Sequence, residues 1–197
     1  MPRRLLGRAA LFAMLALASL PLRAQDAEHA PRADQNVPGD LKPGDAFGEP
    51  TVLAEKTIIY VKGSASWDNA LPALVSAFKT LNQYLQKQGI APAGAPMTIY
   101  TSTDDKGFAF DAALPIAQAP KEPPTGNIAV GKSPAGKALK FVHRGSYDAM
   151  DSTYEAIANY LDDKQLEAKN LFIEEYLSDL EKSDPDHLVV NVYVPVN

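Results

Sequence analysis

The sequence predicts an α+β domain in which two copies of a strand–helix–strand–strand unit form one antiparallel sheet with both helices on one face. Three observations support this fold class. Short runs rich in β-branched and aromatic residues are separated by two stretches with helical periodicity. The order strand, helix, strand, strand occurs twice, in about residues 55–117 and 127–197. A single unit cannot bury the apolar face of its sheet, whereas two units joined in one sheet can.

The first unit begins with a predicted strand at residues 57–61, which Gly63 ends. Four apolar side chains then recur at steps of four, three and four, which places them on one face of a helix. They are Leu74, Phe78, Leu81 and Leu85. Gly89 is predicted to end this helix, since glycine favours the left-handed conformation that follows a helix. Two more strands are predicted at residues 97–100 and 108–114.

The second unit repeats this order after a proline-rich segment at residues 120–124. Its first strand, at 138–143, precedes a helix with the same steps of four, three and four. The helical positions are Met150, Tyr154, Ile157 and Leu161. Strands are predicted at 171–177 and 188–194, and the short segment 127–130 is a candidate edge strand.

The N-terminal segment, residues 1–24, has the pattern of a secretory signal peptide. Three arginines precede an uncharged run over residues 9–22, and cleavage is expected after Ala24. The apolar run is too short to span a membrane comfortably. We therefore expect a periplasmic or secreted protein that makes no stable membrane insertion once the signal is cleaved. Residues 25–50, with several prolines and glycines and no periodicity, are predicted to form a flexible linker before one domain at 51–197.

The charge of the mature chain argues against binding to nucleic acid. The whole chain has 19 Lys and Arg residues and 24 Asp and Glu residues, and the signal peptide removes four arginines and no acid. The mature chain then has 15 basic against 24 acidic residues, a formal charge of −9. Such a chain is not drawn to nucleic acid or to an anionic membrane surface, and it favours neutral or cationic partners. It contains no cysteine, so its core must stabilise it without disulfides.

Strand alternation assigns side chains to the two faces of the predicted sheet. An apolar row in the last strand is predicted to meet the helices: Val190, Val192 and Val194. The opposite, helix-free face is predicted to carry a carboxylate among aromatic rings: Glu174 with Tyr100, Tyr176 and Tyr193. On this assignment Glu175 faces the helices, and the pattern offers no reason for an acid at that position.

Three short motifs resemble the gyrase-inhibitor-like (GyrI-like), AraC-type effector-binding domain family over about residues 55–197. They are HRGSY at 143–147, IEEYL at 173–177 and VYVPV at 192–196. The resemblance implies a small-molecule pocket on the sheet surface that binds hydrophobic and often cationic compounds. Family members are often joined to a helix-turn-helix domain and are usually cytoplasmic. This chain has no room for such a domain and carries an export signal, so gene regulation by the chain itself is not expected.

The resemblance also implies roles for individual residues. Glu174 would be the charge partner of the ligand. Aromatic contacts would come from the rings of Tyr176, Tyr100 and Tyr193. Trp67 and Tyr147, which lie before or at the start of the two predicted helices, could fold over the edges of the groove.

Each candidate residue also has a structural interpretation. Glu174 could be a solvated acid on an open sheet, the tyrosines could serve packing alone, and Trp67 could hold the start of the first helix against the core. His143 is interpreted as structural. No two histidines have metal-ligand spacing and cysteine is absent, so no metal is expected. No phosphate-binding glycine loop or serine nucleophile motif is present, and no cofactor is expected.

Three functions remain open from the sequence. The favoured one is a non-catalytic, periplasmic binding protein that captures small hydrophobic or cationic molecules. The second is a hydrolase of strained, electrophilic small molecules in which Glu174 acts as a general base. The third is a docking module that presents a flat aromatic face to a partner protein. The sequence identifies neither the ligand nor the oligomeric state.

Overall fold

The computed structural model describes residues 47–197, which form one eight-stranded antiparallel sheet and two helices. The strands are β1 (Phe47–Leu53), β2 (Thr57–Ser66), β3 (Met97–Thr103), β4 (Gly107–Pro115), β5 (Ile128–Lys132), β6 (Gly136–Gly145), β7 (Phe172–Tyr176) and β8 (Leu188–Pro195). The helices are α1 (Ala70–Gln88) and α2 (Met150–Lys164), each preceded by one turn of 3-10 helix. The predicted α+β class is confirmed.

The sheet order shows the duplication directly. The strands run β1-β6-β8-β7-β3-β4-β2-β5, so β3 and β7 meet at the centre and the two units extend outward from them. Each unit donates its leading strand to the other one: β1 pairs with β6, and β5 pairs with β2. The strand β5 forms one edge of the sheet, where the segment 127–130 was a candidate edge strand. The exchange of leading strands is a feature that the sequence pattern did not indicate.

The short connections show that the sheet is strongly curled. Residues 54–56 join β1 to β2, which lie six strand positions apart in the sheet. In a flat sheet this separation would be about 29 Å, whereas three linking residues bridge at most about 14 Å. Residues 133–135 make the equivalent connection from β5 to β6. Both connections are possible only because the sheet bends until its two halves approach each other.

The helix-free face lies on the inner side of this curl. The two connections contact each other there, since Ser133 N–H donates to the Lys56 carbonyl and Lys56 N–H donates to Ser133 Oγ, both at 2.9 Å. From this crossing, Lys56 Nζ lies 3.4 Å from Oε1 of Glu175 on β7. Leu53 packs against the apolar side chains of the same face. The crossing connections therefore cover the centre of the helix-free face.

The helices bury the stripes that their periodicity predicts. All four predicted positions of α1 are buried: Leu74, Phe78, Leu81 and Leu85. Gly89 follows in a left-handed conformation with φ 65° and ends α1 as expected. In α2, Met150, Ile157 and Leu161 are buried, whereas Tyr154 is half-buried. No helix of residues 47–197 is long and apolar enough to cross a membrane.

The strand β1 extends the fold towards the N-terminus. It begins at Phe47, whose ring packs edge-on against Phe141 with centroids 5.0 Å apart. The predicted linker, 25–50, therefore overlaps the sheet over its last four residues, 47–50. A glycine and a proline in β1 gave this segment the composition of a linker, but an edge strand tolerates both. The rest of the predicted linker and the predicted signal peptide lie outside the described residues.

Candidate functional site

Glu174 lies in the middle of β7, between the sheet and the helices, with only 1% of its surface exposed. Its neighbour in β8 is Val192, and its neighbour in β3 is Thr98. Directly opposed residues of antiparallel strands project to the same face, so Glu174 shares the helix-covered face with Val192. Tyr176 lies on that face too, because its ring packs against Phe78 of α1 with centroids 5.5 Å apart.

The predicted face of Glu174 and Tyr176 is therefore wrong. Successive residues of β7 do alternate between the two faces as predicted. The faces were assigned the wrong way round, because Glu174 and not its neighbours pairs with Val192 of β8. Burying a carboxylate is costly, which made the helix-free side the natural prediction, whereas the structure compensates the burial with hydrogen bonds. The same reversal places Glu175 on the helix-free face, where it contacts Lys56. Glu175 therefore does not face the helices, and an acid at this position needs no special explanation.

Two tyrosine hydroxyls donate to the buried carboxylate, one from the sheet and one from a helix. Tyr176 donates to Oε2 of Glu174 at 2.5 Å, and Tyr154 of α2 donates to Oε1 at 2.8 Å. Thr98 Oγ1 lies 2.9 Å from the Tyr176 hydroxyl. Since Tyr176 has one hydroxyl proton and gives it to Glu174, Thr98 must donate in this pair. Both carboxylate oxygens are thus held by neutral donors.

Two further tyrosines surround the carboxylate. Tyr100, on β3, is 5% exposed, and its hydroxyl lies 3.4 Å from that of Tyr147 in the turn before α2. The chain reaches Tyr147 through Gly145, whose φ of 134° suits glycine best. Burial, and then the charge of Glu174, raise the pKa of both hydroxyls well above the usual value. The tyrosines therefore remain neutral and present hydroxyls and ring faces around Glu174.

The charge of Glu174 is only partly compensated by its surroundings. Burial raises the pKa of this carboxyl above its usual value, and the tyrosine hydroxyls oppose the rise by stabilising the ionised form. No Lys or Arg side chain among residues 47–197 forms an ion pair with it. A buried carboxylate with hydroxyl donors and no cation is a site that a positively charged group would complete.

The structure separates two predicted site residues from this cluster. Tyr193 lies on the helix-free face, where its hydroxyl donates to Oε2 of Glu175 at 2.9 Å. Trp67 packs against Phe108 with tilted rings whose centroids are 4.9 Å apart, and its Nε1 donates to the Asp104 carbonyl at 2.8 Å. These contacts match the structural interpretation of Trp67, in which it holds the start of α1 against the core. Tyr100, Tyr147 and Tyr176 do gather around Glu174.

Sequence reasoning missed Tyr154 and Thr98 as site residues. Tyr154 was recognised only as part of the apolar stripe of α2. The signal that could have singled it out is its hydroxyl, because a tyrosine inside a core stripe needs a buried hydrogen-bond partner. Thr98 lies in the predicted strand 97–100 and was not singled out. A threonine among the buried residues at the start of β3 raises the same question of a partner.

The arrangement is closed to solvent and is not an exposed surface. Tyr100 and Tyr176 are 5% and 1% exposed, so a flat aromatic docking face of the predicted kind is not formed by these rings. Tyr147 and Tyr154 are half-buried and border the cluster at the start of α2. Because Glu174 is enclosed, a ligand can contact it only if side chains of the cluster move. Within the described part of the chain, no group of three His, Asp or Glu side chains could hold a metal ion.

Comparison with known proteins gives a family and a fold. The family model of the GyrI-like small molecule binding domain matches residues 51–197. No curated protein matches the sequence. Solved structures under one-quarter identical to this chain share its fold, and the C-terminal domain of EcmrR is one of them. It is 17% identical, with a TM-score of 0.64 over 76% of this chain and 96% of that domain.

Two further solved structures share the fold at lower similarity. SAV2435 bound to tetraphenylphosphonium is 14% identical, with a TM-score of 0.53 over 76% of this chain and 93% of that one. A hydrolase from Listeria innocua is 15% identical, with a TM-score of 0.53 over 76% and 91% of the two chains. The chain spans only 56% of the EcmrR chain found in a complex with DNA.

Proposed function

Because the chain belongs to the GyrI-like family of small molecule binding domains, we propose that it captures hydrophobic organic cations at Glu174 without transforming them. The observation that carries the proposal is the surroundings of this carboxylate. It is almost fully buried, both oxygens accept hydrogen bonds from tyrosines, and no cationic side chain of the described residues pairs with it. A ligand cation would supply the missing charge.

The tyrosine rings favour a diffuse, hydrophobic cation over a small inorganic one. Four tyrosines lie around Glu174: Tyr100, Tyr147, Tyr154 and Tyr176. Their ring faces attract an organic cation through cation–π contacts, which are strongest where water is excluded. They also offer apolar surface to its substituents. Tetraphenylphosphonium, which SAV2435 binds on the same fold, belongs to this chemical class.

The proposed location is the periplasm or the exterior. The support is the arginine-led, apolar N-terminal segment. An exported binding domain would sequester, sense or hand over its ligand. The mass of the protein recovered from the producing cells tests the location, because cleavage after Ala24 predicts a chain that begins at Gln25.

Binding of matched ions tests the proposed ligand class. Tetraphenylphosphonium and tetraphenylborate have nearly the same size and opposite charge, so their affinities separate charge from hydrophobicity. Calorimetric titration of the mature protein should detect the phosphonium and not the borate. Glu174→Gln should weaken phosphonium binding by about tenfold or more, the amount expected for loss of a charged partner in a buried site. Equal binding of the two ions would contradict the proposal.

A hydrolase remains the second candidate, and one observation favours it. Burial raises the pKa of Glu174, which brings a carboxylate closer to the range of an effective general base. A hydrolase from Listeria innocua also shares the fold. Incubation with strained electrophiles such as epoxides, followed by detection of diols, tests this candidate. Turnover that disappears in Glu174→Gln would establish it over simple binding.

A further inference from the structure

The helix-free face contains a second carboxylate centre, built around Glu175. Asn191 Nδ2 donates to its Oε2 at 3.0 Å, and the hydroxyl of Tyr193 donates to the same oxygen at 2.9 Å. The other oxygen, Oε1, has a longer contact of 3.4 Å with Lys56 Nζ. Glu175 and Glu174 are consecutive in β7, so the two carboxylates lie on opposite faces of one strand.

The side chain of Asn191 leaves one buried acceptor unused. The residue is 5% exposed, and none of the described residues donates a hydrogen bond to its Oδ1. Rotating the amide by half a turn would not solve this, because it would bring Oδ1 towards the carboxylate of Glu175 and leave the amide nitrogen without its acceptor. A buried acceptor without a donor costs free energy. It is therefore a place where a donor group of a ligand would be stabilised.

The surroundings define the chemistry of that donor. Burial opposes ionisation of Glu175, but Asn191, Tyr193 and Lys56 outweigh it and lower its pKa, so the carboxylate is charged at neutral pH. The walls are apolar and include Leu53, Met97 and Ile173. A group that suits the site carries positive charge, offers at least two hydrogen-bond donors and has an aliphatic substituent.

The ammonium group of Lys56 already supplies a positive charge and a hydrogen-bond donor beside Glu175. Its side chain comes from the connection that crosses this face, and 43% of that side chain is exposed. An ammonium at 3.4 Å from Oε1 with this exposure is held weakly. It can turn into solvent and free the carboxylate oxygen at little cost. Lys56 is therefore placed as an internal competitor for an external amine.

We infer that the helix-free face holds a second binding site, specific for aliphatic primary ammonium groups, in which Glu175 Oε1 and Asn191 Oδ1 accept hydrogen bonds from the ligand and Lys56 is displaced. This site is independent of Glu174, because the sheet lies between the two carboxylates. Its ligands differ from the diffuse cations proposed for Glu174, since a quaternary phosphonium has no N–H to donate.

The test uses n-hexylammonium as the probe and n-hexanol as the uncharged control. The side-chain amide resonances of Asn191 in nitrogen–proton NMR spectra report on the site directly. The hexylammonium titration should shift them saturably, and hexanol should not. Glu175→Gln should weaken the hexylammonium affinity about tenfold, as expected for loss of a charge-assisted hydrogen bond.

Two variants separate ligand binding from a structural role. Lys56→Ala should raise the hexylammonium affinity about threefold or more, because it removes the competing ammonium; a residue that merely supports the fold would lower it. Asp163→Asn, which changes an exposed acid on α2, should leave the affinity unchanged. Absence of a saturable shift, undiminished binding in Glu175→Gln, or an equal loss of binding in Asp163→Asn would each overturn the inference. None of these results bears on phosphonium binding at Glu174, so each of the two proposed sites can be refuted without the other.

Discussion

Tyr154 of α2 donates a hydrogen bond of 2.8 Å to Oε1 of Glu174 on the central strand β7. This bond couples the second helix to the buried carboxylate, and Tyr176 holds the other oxygen from the sheet. Any ligand that approaches Glu174 from the side of α2 must break or rearrange the contact of Tyr154. Opening of the closed cluster around Glu174 is therefore coupled to the position of α2.

Tyr154→Phe should show this coupling. The variant keeps the ring and removes one donor to a buried carboxylate, so we expect it to lose about 1–3 kcal/mol of stability at neutral pH and to change phosphonium affinity. Tyr160→Phe is the matched control on the same helix, because its hydroxyl donates to the Gly48 carbonyl at 3.1 Å, away from Glu174. Urea unfolding and calorimetry measure both effects. An equal change of phosphonium affinity in the two variants would show that Tyr154 does not act through Glu174.

Glu174→Gln should alter the pH dependence of stability. Burial raises the folded-state pKa of this carboxyl, so the folded state favours its protonated form. In the wild type, the resulting stabilisation is fully present below the unfolded-state pKa of about 4.3. It is lost as the pH rises through the folded-state pKa, by about 1.4 kcal/mol for each pH unit by which the pKa is raised.

The glutamine variant lacks this titration, so its stability relative to the wild type should increase as the pH rises from about 4 through the folded-state pKa of Glu174. Urea unfolding of both proteins at a series of pH values gives the difference directly. A difference that stays constant with pH would mean that Glu174 titrates normally in the folded protein.

His143 should produce the opposite trend. It is buried on β6, its Nε2 donates to the Ser146 carbonyl at 3.0 Å, and its Nδ1 lies 2.7 Å from Thr153 Oγ1 on α2. A carbonyl only accepts, so in the neutral ring Nε2 carries the proton and Nδ1 accepts from the threonine. Burial lowers the pKa of this imidazole. Its contribution to stability is therefore complete above the unfolded-state pKa of about 6.5 and is lost as the pH falls towards the folded-state pKa.

The His143 effect is best measured with Glu174 replaced by Gln, which removes the opposing titration. In that background, the free-energy difference between His143 and His143→Asn should shrink as the pH falls from about 7.5 to about 5. A difference that is the same at both ends of this range would show that the histidine titrates equally in the folded and unfolded states.

Phe47→Ala tests whether β1 belongs to the fold. The Phe47 ring packs against Phe141 and Tyr160, with centroids 5.0 Å and 6.0 Å away, so its removal should cost about 2–4 kcal/mol. Val52→Ala is the control in the same strand, because Val52 is 74% exposed and should change stability by less than about 0.5 kcal/mol. Thermal or urea unfolding distinguishes the two. Equal, small effects would mean that β1 contributes little to the domain.

Most of the fold follows from local patterns in the sequence. The stripes of α1 and α2, Gly89 at the end of α1 and the repeated order of strands are set by periodicity and by glycine, which act over a few residues. The pairing of β1 with β6 is different. It depends on an exchange between the two units that no local pattern encodes, and the Pro and Gly of an edge strand conceal it.

The candidate site was predicted only in part, again because part of it depends on long-range strand pairing. Glu174, Tyr100, Tyr147 and Tyr176 were recognised as candidates and do lie together. The face of Glu174, Tyr100 and Tyr176 was misassigned because alternation fixes which residues of a strand share a face, but not which face meets the helices. The pairing Glu174 to Val192 decides that, and it is a long-range property of the sheet. Tyr154 was hidden because its ring fits the core stripe and only its hydroxyl serves the site.

The most direct test of Glu174 as the cation site compares the two neighbouring acids of β7. Tetraphenylphosphonium is titrated into the wild type, Glu174→Gln and Glu175→Gln at the same pH near neutrality, with calorimetry as the readout. We predict that affinity falls about tenfold or more in Glu174→Gln and is unchanged in Glu175→Gln, whose carboxylate lies on the other face of the sheet. Unchanged affinity in Glu174→Gln, or a larger loss in Glu175→Gln, would contradict the assignment of the buried carboxylate as the ligand's charge partner.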